Sequence, residues 1–172
     1  WTPDLPPAVL QQRYAVPAQQ VLEVDGLPIH YQDSGPRDAP ALILLHGFGS
    51  SLQTWDAWAA VLEREHRVIR LDIAGFGLSG PAADKDYSEA ADVRRLLAVL
   101  DHLGVQQSVL IGHSMGGRLA WSLAAREPVV EVVEVCAHHG VGDVRCWVAM
   151  REDHAERGAA QHTGGHAADE QV

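Results

Sequence analysis

Ser114 lies within Gly112-His113-Ser114-Met115-Gly116-Gly117, directly after the apolar run Ser108-Val109-Leu110-Ile111 and directly before a helix-like stretch. That order places a serine where a buried strand turns sharply into a helix, a nucleophile elbow. The turn is expected to strain the serine backbone. The small residues Gly112, Gly116 and Gly117 let strand and helix pass closely enough to leave the hydroxyl exposed at the sheet's carboxyl edge. The chemistry such an arrangement would serve is attack of a serine oxygen on a carbonyl carbon.

Acyl transfer turns the carbonyl oxygen into an oxyanion, which needs hydrogen-bond donors fixed before the charge develops; loss of one such donor raises the barrier by about 3 kcal/mol. A source of donors lies upstream. Ala41-Leu42-Ile43-Leu44-Leu45 reads as a fully buried strand that runs straight into His46-Gly47-Phe48-Gly49-Ser50-Ser51. The N–H groups of Phe48 and Met115 are the expected oxyanion donors, converging near the Ser114 hydroxyl. Gly47 and Gly49 are the glycines of that loop.

Between the two lies Val68-Ile69-Arg70-Leu71-Asp72-Ile73-Ala74-Gly75-Phe76-Gly77-Leu78-Ser79-Gly80. Strand and His-Gly-Phe-Gly, strand and Asp-x-x-Gly-x-Gly-x-Ser, then Gly-His-Ser-Met-Gly-Gly, in that order, resemble the α/β-hydrolase superfamily over residues 18 to 128. The serine at the elbow points to the serine-nucleophile branch, and away from the alkyl-ester mechanism of members such as haloalkane dehalogenases and epoxide hydrolases. By that resemblance Asp72 braces a loop at the rim of the site. The substrate is expected to be a small molecule with a carbonyl group, an ester or similar, and no cofactor or metal is implied.

The surrounding elements must hold these loops in place. Gln20–Val24 and Ile29–Gln32 flank Asp25-Gly26 and suggest an opening hairpin. Trp55, Trp58, Ala59 and Leu62 fall on one helical stripe, with the tryptophans expected in the core. Ser88 can cap a helix that faces Val93, Leu96, Leu97, Leu100 and Leu103 to one side and ends at Gly104. The helix after Ser114 carries Leu119, Ala120 and Leu123 and stops before Pro128. Alternating strands and amphipathic helices imply an α/β fold: a mostly parallel sheet covered on both faces. His30, His66 and His102 are expected at the surface or at strand ends, and His113 within the elbow.

Composition sets the outer bounds. At 172 residues, 47% hydrophobic and 21% charged, the chain suits one globular domain. A net charge of -10 offers no basic field for phosphates, which argues against a nucleic-acid partner and against acidic membrane surfaces. No apolar run is long enough to span a membrane. Residues 1–17 form a Pro-rich lead-in starting at Trp1. Some bacterial members of the superfamily carry a hydrophobic segment before such a lead-in, so membrane tethering and export stand beside a cytoplasmic location.

In the superfamily the triad acid and histidine follow the serine on loops after later strands, here beyond Pro128. Residues 129–172 do not read as that half of the domain. Val129–Ala137 suits a sixth strand, after which no strand-and-helix alternation follows and the fold is expected to stop. The stretch holding His138, His139, Cys146, His154, His162 and His166 has no hydrophobic period. Its expected origin is an out-of-frame translation or a truncation. A compressed triad built from Asp143 or Asp153 with His154, His162 or His166 keeps the right order and stays open. Cys136 and Cys146 with His138 and His139 match no usual metal spacing. An incomplete sheet would also leave apolar surface free for self-association.

Overall fold

The computed structural model of the chain describes residues 7–14, 20–126, 130–137 and 144–149. Within the lead-in, Pro7–Tyr14 forms helix α1. Proline suits that opening position because its missing N–H has no partner there in any case. Strands β1 (Gln20–Val24) and β2 (Leu27–Ser34) pair antiparallel, with Val24 opposite Leu27. The connecting residues Asp25 and Gly26 both have positive φ, 55° and 73°. Two such residues match the twist of a tight hairpin, so the expected turn is present.

Strands β3 (Ala41–Leu45), β4 (Arg67–Leu71), β5 (Ser108–Gly112) and β6 (Val130–Ala137) follow, and β7 (Val144–Ala149) is the last strand among the described residues. They form a seven-stranded sheet ordered β1-β2-β4-β3-β5-β6-β7. Its centre is parallel: β3 pairs β4 and β5, and β5 pairs β6. The sixth strand expected from Val129–Ala137 is there. One more strand than expected follows it, since β7 turns back antiparallel onto β6. Residues 138–143 and 150–172, with the triad and metal candidates they hold, lie outside the described residues.

Burial explains why the central strands lack alternating polarity. All of Ala41–Leu45 is buried, yet Ile43 and Leu45 join one apolar cluster while Leu42 and Leu44 join another. Each face of the sheet therefore has its own core. One face carries α3 (Glu89–His102) and α4 (Met115–Ala124), through Val93, Leu96, Leu100, Leu119, Ala120 and Leu123. The other carries the 3-10 turn Leu52–Trp55 and α2 (Asp56–Leu62), through Trp55 and Ala59.

Helix α3 shows how local chemistry sets an element's ends. The Ser88 hydroxyl accepts the Ala91 N–H at 3.3 Å, the expected N-cap. At the other end Gly104 takes φ 65°, its N–H bonds the Asp101 carbonyl at 3.0 Å, and the Val105 N–H bonds the Leu100 carbonyl at 2.9 Å. Those paired bonds form a Schellman cap, which only a residue tolerant of positive φ closes easily.

Two expectations are corrected. Trp58 does not belong to the core; it is 48% exposed and meets buried Trp55 edge-on at 5.9 Å. The reason is that Trp55 lies in the 3-10 turn rather than in α2, so the assumed helical stripe does not run through both rings. His30 is neither a surface nor a strand-end residue. It is fully buried, because its ring meets the Asp72 carboxylate.

Candidate active site

The site is assembled at the carboxyl ends of neighbouring parallel strands. Leu45, the last residue of β3, lies opposite Gly112, the last residue of β5. The loops that follow them therefore leave the sheet side by side. The His113 N–H bonds the Leu45 carbonyl at 3.1 Å and ties one loop to the other.

Ser114 sits between β5 and α4 with φ 52° and ψ -112°, and is exposed. A non-glycine residue in that region is strained by about 1–3 kcal/mol and persists only where its surroundings hold it. Here those surroundings are backbone. A Cβ on Gly112 would stand 2.5 Å from the Gly116 carbonyl and the Gly117 nitrogen, and one on Gly116 would run into the Leu45 carbonyl oxygen and stand 2.6 Å from that of His46. Gly117 is buried in the same first turn. Only glycine at 112 and 116 lets strand, helix and the neighbouring strand end meet this closely.

The loop after β3 carries the other half. Its turn is closed by the Ser50 N–H on the Gly47 carbonyl at 3.3 Å, with Gly49 at φ 69°. A Cβ on Gly47 would stand 2.6 Å from Nδ1 of His113, so the glycine makes room for the half-buried elbow histidine. Among the described residues, no hydrogen bond within the protein takes up the N–H of Phe48 or of Met115. The Met115 N–H belongs to the first turn of α4, whose amides have no partner within the helix. The Phe48 side chain is 81% exposed and meets Phe76 edge-on at 5.4 Å.

His46 fixes the same loop from beneath. Its Nδ1–H donates to the Gly47 carbonyl at 2.8 Å, and its Nε2 accepts the Ile73 N–H at 3.0 Å. Both contacts suit the neutral ring. Burial pushes its pKa below the ordinary histidine value, with the Gly47 carbonyl and Asp72 pulling the other way.

Asp72 is a hub of buried hydrogen bonds. Oδ1 accepts the Leu52 N–H at 2.7 Å, while Oδ2 accepts the Leu78 N–H at 2.9 Å and the His30 Nδ1–H at 2.7 Å. The Ser79 hydroxyl donates to the Asp72 carbonyl at 2.7 Å and accepts the His30 N–H at 2.9 Å. Gly77, at φ 53°, is required because a Cβ there would run into the Asp72 carboxylate. Among the described residues His30 is the one histidine paired with a carboxylate. Sequence reasoning missed it: the partners lie 42 positions apart, and only the antiparallel register of Tyr31 with Leu71 brings them together. Also among the described residues, no group of His, Cys, Asp and Glu is arranged to hold a metal, and no helix is long and apolar enough to cross a membrane.

Comparison with known proteins identifies the fold family. Epoxide hydrolase 4 of Mus musculus is 38% identical over 104 residues, 60% of this chain and 29% of that protein. The dihydrolipoyllysine-residue acetyltransferase component of the acetoin cleaving system of Pseudomonas putida is 36% identical over 129 residues, 74% of this chain and 34% of that protein. The crystal structure of a bacterial membrane phospholipase A superposes with a TM-score of 0.67 at 31% identity, covering 76% of this chain and 46% of that one. The chain thus spans less than half the length of each. A family model for the alpha/beta hydrolase fold matches residues 40–150, the stretch that holds the loops after β3 and β4 and the elbow that follows β5. The chain belongs to the alpha/beta hydrolase fold family.

Proposed function

We propose that this chain carries the nucleophile and oxyanion loops of a serine hydrolase that acts on an ester or similar carbonyl substrate through an acyl-enzyme. The observation that carries this reading is the strained, exposed Ser114 at a strand-to-helix junction. In the proposed reaction the Ser114 oxygen attacks the carbonyl carbon, and the N–H groups of Phe48 and Met115 receive the developing charge. Gly47, Gly49, Gly112, Gly116 and Gly117 allow the two loops to approach. The names of the relatives span hydrolysis and acyl transfer. A serine at the elbow favours the acyl route over attack on an epoxide. The proposed partner is a small molecule. A net charge of -10 speaks against nucleic acid, and self-association is proposed for the case that the sheet is incomplete.

Turnover by this chain alone is expected to be impaired. A serine hydroxyl needs a histidine to take its proton and a carboxylate to hold that histidine. Among the described residues the only such pair is His30 with Asp72, and it is buried. That observation also favours a second reading, a ligand-binding pseudoenzyme or non-catalytic fragment. Hydrolysis of a short-chain nitrophenyl ester, beside the Ser114→Ala variant, tests the impairment. Little turnover is expected; robust turnover that disappears in the variant would overturn it and bring in a base from the tail, with His154, His162 and His166 as candidates.

A further inference from the structure

We propose that His30 is a positioning residue for the loop that presents the Phe48 N–H, and that it acts through Asp72; the functional part of this inference rests on the oxyanion reading above. Three segments meet at one carboxylate: β2 through the His30 ring, the loop after β3 through the Leu52 N–H, and the loop after β4 through the Leu78 N–H. The link to Leu52 pins the far end of the Phe48 loop. Its near end is pinned one residue along, by Ile73 on His46. Residues 46 to 52 are therefore held at both ends by the Asp72-Ile73 backbone and side chain.

The ring is not there simply to fill the core. Its Nε2 is buried without a hydrogen-bond partner. Such an orphan costs about 1–3 kcal/mol, which an apolar residue of similar size would avoid. What a histidine adds is the Nδ1–H, and that proton meets Asp72 Oδ2 at 2.7 Å. Because a carboxylate only accepts, the proton on this nitrogen is the histidine's. Without it Oδ2 keeps the Leu78 N–H alone and the carboxylate is free to turn about its Cβ–Cγ bond, which loosens the Oδ1 contact to Leu52.

Chemistry supplies a discriminating pair of substitutions. The side-chain amide nitrogen of asparagine falls where Nδ1 of histidine lies, whereas that of glutamine falls where Nε2 lies. NMR of the ¹⁵N-labelled full chain reads the outcome. In the wild type the His30 ring should be protonated at Nδ1 and bare at Nε2; the reverse tautomer would overturn the proposal without any variant. In His30→Gln the Leu52 and Phe48 amides should shift, and Leu52 should exchange with solvent about tenfold faster or more. In His30→Asn both should stay near their wild-type positions. An asparagine variant as disturbed as the glutamine variant, or a folded glutamine variant with both amides unmoved, would overturn the proposal. Phosphonylation of Ser114 by a fluorophosphonate reads the oxyanion role separately. Displaced Leu52 and Phe48 amides with an unchanged labelling rate would leave the latch standing and remove the oxyanion role from the loop.

Discussion

Gly112 and Gly116 touch backbone to backbone: a Cβ on Gly112 would stand 2.5 Å from the carbonyl carbon and oxygen of Gly116. Neither atom is the flexible end of a side chain, so the clash is relieved only by moving β5 away from α4. That movement would also release the backbone strain stored at Ser114. We expect Gly112→Ala and Gly116→Ala each to destabilise the chain by about 3 kcal/mol, at the upper end for overpacking. Urea unfolding measures it. A loss of under about 0.5 kcal/mol for Gly112→Ala would mean that β5 and α4 are not in this contact, and for Gly116→Ala that α4 does not pack on the end of β3.

The Asp72 carboxylate gives a second test, because its removal strands several buried donors at once. Asp72→Ala leaves the Leu52 N–H, the Leu78 N–H and the His30 Nδ1–H unsatisfied. At about 1–3 kcal/mol each, the loss should exceed about 4 kcal/mol or abolish folding. Asp72→Asn, which keeps one accepting oxygen, should lose less. Equal stability of Asp72→Ala and wild type in chemical denaturation would contradict the network.

Much of this was legible in the sequence, for local reasons. The hairpin at Asp25-Gly26, the Ser88 and Gly104 caps and the strand-to-helix turn at Ser114 are each specified by residues within a few positions of one another. The Asp72 hub was half legible: the loop motif marked Asp72, but nothing near His30 marked its partner, since the register between β2 and β4 makes the pair. Trp58 was misread for a related reason. The apolar spacing at Trp55, Trp58, Ala59 and Leu62 assumed one continuous helix, whereas a 3-10 turn occupies its start and shifts the ring outward. The strand at Val144–Ala149 has no patterned signal, and its pairing with β6 is a non-local event.

His46 should make stability depend on pH in a known direction. Burial lowers its folded pKa below the ordinary value, so between the two values the unfolded chain binds more protons than the folded one. The stabilisation is therefore complete above about pH 6.5 and is lost as the pH falls towards the lowered value. Its slope is at most about 1.4 kcal/mol per pH unit for one proton. Urea unfolding at pH 7 and pH 5 reads this against His46→Gln, whose side-chain carbonyl can accept the Ile73 N–H without titrating. The variant should decline less with acid; equal declines would contradict the assignment.

The Ser88 cap yields a smaller effect. Ser88→Ala removes the acceptor of the Ala91 N–H and should cost about 1 kcal/mol. Ser88→Asp should restore most of it. No change in the thermal midpoint of Ser88→Ala would show that water serves the Ala91 amide equally well.

Covalent labelling tests most directly whether Ser114 is, as proposed, a nucleophile held ready by its backbone. Intact-protein mass spectrometry after prolonged exposure to a small fluorophosphonate, with and without Ser114→Ala, reports the reacting residue independently of turnover. Because oxyanion donors and geometry alone retain a residual acceleration of about 10³–10⁴-fold over water when the triad is broken, labelling should be slow but selective. The expected result is a single phosphonyl adduct, mapped to Ser114 and absent from the variant. No adduct on the wild type, or an adduct that persists in Ser114→Ala, would contradict the account.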